Sequence, residues 1–239
     1  AAIGASDNGI ADYYKLAALS INASDSTGAI ELSDIGDAGS VGASTVTIGN
    51  ADGTSGGTTT VTLDGAYYRP GNTTLITAKA GDNIKLTRTA GTGDVLFNMG
   101  AKSLEFATAD VLLSDGRTLD IDSTAAVTIA GIDGTTSEAV EINSSGTITL
   151  GTIGTGVTGG IGDITIDGDG SIVLTNNITS CKDLGSLVKF DGAVVIKGDV
   201  TITTDTSEGH ATNNDGYIDF FGTGTTILGH TSGTNNLTL

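Results

Sequence analysis

The chain has 239 residues and a formal charge of −18, with 28 acidic side chains against 10 Lys and Arg. That balance excludes nucleic acid and anionic membrane surfaces as expected partners, because both demand clustered cations and Arg69, Arg88 and Arg117 lie far apart. Length allows one large domain or two small ones, so composition must decide the class.

Gly occurs 37 times, about twice its usual share, while Pro, Cys and Met appear once each and Trp is absent. Aromatics make up 4% of the chain, so Val, Ile, Leu and Thr have to supply the packing, and β-branched residues favour strands. An apolar fraction of 38% argues against charge-driven disorder. No run approaches the roughly 18 apolar residues of a spanning helix, so direct membrane insertion is not expected. The single Cys181 cannot form an internal disulfide and reads as a small core residue.

In chain order, "IADYYKLAALSI" (10–21) comes first and is the exception to an otherwise strand-like text: a short helix or cap. Residues 1–40 read as an amino-terminal cap or connecting segment, and residues 41–239 as strand repeats that continue past the last residue. The opening "AAIGASDNG" and the closing "GTNNLTL" read as the ends of a fragment. Between them strand-like runs follow one another: "STVTIG" (44–49), "TTTVTLDG" (58–65), "TTLITAKA" (73–80), "NIKLTRT" (83–89) and "DVLFNMG" (94–100). They continue through "KSLEFAT" (102–108), "RTLDIDS" (117–123), "AAVTIAG" (125–131), "AVEINSS" (139–145) and "GTITLGTIG" (146–154). The last are "GDITIDG" (162–168), "SIVLTNN" (171–177), "DVTITTD" (199–205), "GYIDFFG" (216–222) and "NLTL" (236–239). Gly, Asp, Asn and Ser bound each run, as turn formers should.

Parity refines the picture. Val188, Phe190, Val194, Ile196, Val200 and Ile202 all occupy even positions, with Gly192 and Gly198 between the runs. Ile164, Ile166, Ile172 and Leu174 do the same around Gly168 and Gly170. Side chains alternate along a strand, so one parity means one face. A two-residue hairpin at Gly198-Asp199 would mix the two faces, whereas a gentle corner keeps the same face inward. Strand, corner, strand, corner around a common interior is a β-solenoid, although a three-residue hairpin would also restore parity. Loose recurrence of "VTI", "ITL" and "VTL" fits coils of roughly 20–25 residues, about ten of them, in a rod near 50 Å long at about 4.8 Å per coil. A solenoid presents open strand edges at its ends and needs caps, neighbours or more of itself.

"GTITLGTIGTG" (146–156), "GAVVIKGDVTITTD" (192–205) and "GTTILGHTSGTNNLTL" (224–239) resemble the phrases of large bacterial β-strand-repeat surface proteins, similar to filamentous-haemagglutinin-type adhesins. The resemblance covers roughly residues 40–239 and is one of repeat style. It implies an all-β, right-handed parallel β-helix forming a single elongated rod, an extracellular or cell-surface location, and a role as stalk, fibre or adhesin. Neither the amino-terminal secretion domain of such proteins nor an anchoring segment is visible in the sequence.

Chemical motifs are sparse. "GGIGDITID" (159–167) comes close to a calcium-binding nonapeptide, with Asp163 one position early, and "DGDG" adds Asp167 and Asp169 as weak calcium candidates. Asp and Gly are also good corner residues, and no other cofactor is suggested. Asp120, Asp122 and Glu141 fall on outward positions, the arrangement a glycosidase needs, but coincidence explains it in so acidic a chain. His210 and His230 lie in loop text without the further ligands of a metal array. Asn22, Asn72, Asn143, Asn177 and Asn236 head Asn-x-Ser/Thr triplets that an Asn/Thr-rich chain produces by chance. Regular Thr rows suit ice binding, but Thr is simply a good exposed strand residue. "AYYRPG" offers Tyr67, Tyr68 and Arg69 as a ligand-contact patch, with one tyrosine exposed because neighbours on a strand face opposite ways. The sequence therefore points to a non-enzymatic structural or adhesive segment that associates with itself end to end or laterally and contacts surface glycans. The alternative is a β-helix that binds or cleaves polysaccharide, lyase-like or tailspike-like.

Overall fold

A computed structural model of the chain describes residues 18–21, 30–36, 43, 46–48, 60–65, 67–68, 83–87, 93–135, 138–154, 160–180, 186–204, 216–222, 226–229 and 235–239. In chain order the strands are β1 (Leu19–Ile21), β2 (Ile30–Leu32), β3 (Val46–Ile48), β4 (Thr60–Asp64), β5 (Tyr67–Tyr68) and β6 (Asn83–Thr87). Next come β7 (Val95–Gly100), β8 (Leu104–Leu113), β9 (Thr118–Ser123), β10 (Val127–Asp133), β11 (Ala139–Ser144), β12 (Ile148–Ile153) and β13 (Ile164–Leu174). The series closes with β14 (Ile178–Ser180), β15 (Leu187–Ile196), β16 (Val200–Thr204), β17 (Tyr217–Phe221), β18 (Ile227–Gly229) and β19 (Leu237–Thr238).

Every strand pairing among these residues is parallel. This decides between a solenoid and a set of hairpins, which would pair antiparallel. The chain is an all-β solenoid of three-sided coils. In one coil, residues 164–168 lie on the first face, 172–174 on the second and 178–180 on the third, and Val188 then lands on Ile164. Val95, Leu119, Val140, Ile164, Val188 and Ile218 form one inward column of the first face, separated by 24, 21, 24, 24 and 30 residues. The coil length expected from the sequence holds through the middle and lengthens at the carboxyl end.

The parity reading holds in detail. Val188, Phe190, Val194, Ile196, Val200 and Ile202 are each at most 2% exposed, and Ile164, Ile166, Ile172 and Leu174 are fully enclosed. The inward columns make one continuous aliphatic core with a short aromatic insert, where Tyr68 stacks on Phe97 and Phe97 meets Phe106 edge-on. Near the other end Phe190 stacks on Phe220 with ring centroids 5.3 Å apart. The helix expected within residues 10–21 is not formed where the structure describes it: Leu19–Ile21 is a strand paired with Val46–Ile48. Pairing to a neighbouring strand outweighs the helical spacing there, and residues 10–17 lie outside the described part.

Corners follow two chemistries. Between the first and second faces, Gly100, Ser123, Ser144, Gly168 and Gly192 stack in one column. Ser144 Oγ donates to the Ala125 carbonyl at 2.6 Å and accepts from Gly146 N at 3.0 Å, so it satisfies backbone groups where the ladder turns. Where the chain returns to the first face, the fully buried Glu138 carboxylate accepts from the Thr135 and Gly116 amides and the Thr135 hydroxyl. One coil further on, Asp163 Oδ1 accepts from Leu187 N at 3.0 Å.

The outward surfaces differ sharply in charge. The first face carries Asp120, Asp122, Glu141, Asp167, Asp191 and Asp219, with Lys189 among them. On the second face one outward column runs Glu105, Thr128, Thr149, Val173, Val195, Leu228. Among the described residues, the other outward strand positions of that face are Ala, Ser, Thr or Gly, except for Lys197. Among the described residues no helix is long and apolar enough to cross a membrane.

Candidate functional site

Strand register turns scattered acids into ladders. Leu96, Asp120, Glu141, Thr165, Lys189 and Asp219 form one outward column of the first face. Two residues along the strands, Asn98, Asp122, Asn143, Asp167, Asp191 and Phe221 form a second. Successive rungs are about 4.8 Å apart, the spacing of hydrogen-bonded strands. A polar groove of 390 Å³ follows the adjoining corner, lined by Asn98, Gly100, Asp122, Ser123, Thr124, Asn143, Ser145 and Asp169. It offers amide, hydroxyl and carboxylate groups along the rod axis, a surface suited to a polyhydroxylated chain.

Crowding changes the acids. Partial burial, with Asp122, Glu141 and Asp94 nearby, pushes the Asp120 carboxyl up to about 6. Burial and then Asp191 and Asp169 also raise Asp167, and Lys189 opposes the shift. Lys189 reaches Asp191 at 4.0 Å and lies over the Phe221 ring, 4.9 Å from its centroid. This is a half-exposed pair, worth little to stability by itself.

The Asp120 shift has a defined pH signature. A carboxyl whose folded value lies above its unfolded 3.8 binds its proton more tightly in the fold. Its contribution is therefore most favourable below the unfolded value and is lost as pH rises through about 6. Asp120→Asn is expected to stabilise the chain at pH 7.5 by about 1 kcal/mol, after discounting for the solvent-screened half of the group. It should also reduce the gain in melting temperature that the parent shows between pH 7.5 and pH 5. An unchanged gain in the variant would show that Asp120 does not titrate in this window.

The residues singled out in the sequence fall in different places. Tyr68 is 1% exposed, and burial together with Asp34 holds its phenol far above the usual value. Its ring belongs to the core, so a surface contact at "AYYRPG" would fall to Tyr67 and Arg69, whose side chains lie outside the described residues. Asp163 holds a corner amide, while Asp167 and Asp169 point outward, Asp167 on the ladder and Asp169 on the groove wall. No group of three or more His, Cys, Asp and Glu side chains placed to hold a metal occurs among the described residues. Asp120, Asp122 and Glu141 do come together, stacked between adjacent coils. Cys181, His210, His230 and the strand expected at 73–80 lie outside the described residues. Sequence reasoning missed Glu138, whose only signal was an acid three residues before the outward Glu141, just ahead of a strand. No protein family, curated protein or solved structure matches the chain.

Proposed function

We propose that this chain is a structural or adhesive segment of a large, repetitive, extracellular surface protein, working as a stiff stalk or fibre. The observation that supports the reading is the continuity of the stack. Aliphatic columns and parallel ladders run through coil after coil, so the product of the fold is a rod. Adhesin-like phrasing of the repeats agrees with export to the cell surface. At the carboxyl end, Ile218 and Phe220 top their inward columns only partly buried, and Tyr217, Phe221, Ile227, Leu228 and Leu239 are exposed. The polar groove on the acidic face is the natural place for a surface glycan.

Electron microscopy of negatively stained protein tests the reading. Straight particles a few nanometres wide, with length proportional to chain length, are expected with or without a calcium chelator. Compact particles would overturn the stalk. A second reading, a polysaccharide-binding or polysaccharide-cleaving β-helix, draws on the raised Asp120 carboxyl stacked beside Glu141, since a carboxyl that holds its proton next to a second acidic side chain suits glycoside chemistry. Release of reducing ends or unsaturated sugars from a polysaccharide panel, abolished by Asp120→Asn, would favour it over the stalk.

A further inference from the structure

We propose that the second face is a lateral docking surface for a second copy of this chain, with the two rods side by side, face to face and antiparallel. The inference deepens the stalk reading and rests on it. Its basis is the distribution of charge. Two copies of a chain with a net charge of −18 repel one another through most orientations. The first face opposes any approach with its acid ladders, and the third carries Asp64 and Asp133. Among the described residues, the second face presents four successive coils, from Thr128 to Val195, whose outward column carries no carboxylate. There Thr128, Thr149, Val173 and Val195 stand half-exposed on a regular parallel sheet, flanked by small residues such as Ala126, Thr147 and Ala193. Small and β-branched side chains on a flat sheet allow two sheets to pack at about 10 Å with aligned strands.

The two charges on this face set the orientation. Glu105 lies at one end of the outward column, and Lys197 lies four coils further on and two residues along the strand. The coil separation is about 19 Å and the offset along the strand about 7 Å. A two-fold axis through the Thr149 coil brings Glu105 of each copy opposite Lys197 of the other, within the reach of both side chains. Parallel rods would instead place like charges together. The pattern is thus self-complementary in one orientation only, as an isologous contact requires. The patch spans only the five rungs from Glu105 to Val195, about 19 Å along the rod, less than a stable dimer needs, so the contact is weak in one segment and multiplies along a longer rod.

Sedimentation velocity and small-angle scattering of the 239-residue chain over a concentration series test this. A concentration-dependent dimer with a thicker cross-section and unchanged length is expected. Thr149→Lys should weaken it about tenfold or more. Thr165→Lys, on the acidic face, should not, and circular dichroism should show both variants folded; Thr128→Lys serves if Thr149→Lys is not. Glu105→Lys should weaken pairing severalfold, and adding Lys197→Glu should restore it, which parallel rods would not do. Monomeric rods at every concentration, or dimers of doubled length, would overturn lateral pairing while leaving the stalk intact. Capture by an insoluble neutral polysaccharide, lost on Thr149→Lys, would replace the second copy with a glycan as occupant. Compact particles would instead remove the stalk reading itself.

Discussion

Phe190→Ala is expected to lower the unfolding free energy by about 3–5 kcal/mol, the usual cost of removing a fully buried aromatic ring. Phe190 is 0% exposed, lies on Ile166 and stacks against Phe220. The cavity would therefore open between two coils and not in a globular centre that many elements share. In a stack where each coil touches mainly its neighbours, the loss should be local. Hydrogen exchange should show protection falling in β13, β15 and β17 while β9 and β11 keep theirs. Uniform loss across the chain would mean that the rod unfolds as one cooperative unit, and the nearest-neighbour picture would be wrong.

Gly192→Ala should destabilise by about 3 kcal/mol or more, although it adds a single methyl group. Gly192 has φ +135°, a region side chains avoid, and a Cβ there would come within 2.2 Å of the Gly168 carbonyl oxygen in the coil beneath. The backbone oxygen cannot swing aside without breaking the ladder it serves. Gly198 supplies the control. Its φ is +123°, yet the nearest atom to an added Cβ is 3.7 Å away. Gly198→Ala should thus bear the conformational strain alone, about 1–3 kcal/mol, and the gap between the two melting temperatures measures the cost of close stacking. Equal effects would show that coil-to-coil contact at the Gly168–Gly192 corner is unimportant.

Sequence by itself determined the local grammar of this protein. Strict parity from Val188 to Ile202 demanded a chain that bends while keeping one face inward, and the fold obeys it because a strand with reversed parity would bury Thr and expose Ile. Composition likewise determined that aliphatic columns, with few rings, would fill the interior. Tertiary structure alone decided register. Whether Asp120 meets Glu141, or Asp167 meets Asp191, depends on the residues spent in corners between strands, a count that local patterning does not fix. The same holds for Tyr67 and Tyr68: two adjacent tyrosines satisfy parity either way, and stacking on Phe97 selects Tyr68 for the core. Glu138 looked like one more surface acid, but a corner whose backbone amides turn inward needed an acceptor there. Segregation of charge among the described residues, dense on one face and sparse on another, also emerges only on coiling. Residues about 21–24 apart in sequence become rungs of a single ladder, and the physical reason is that stacking, unlike alternation, couples positions one whole coil apart.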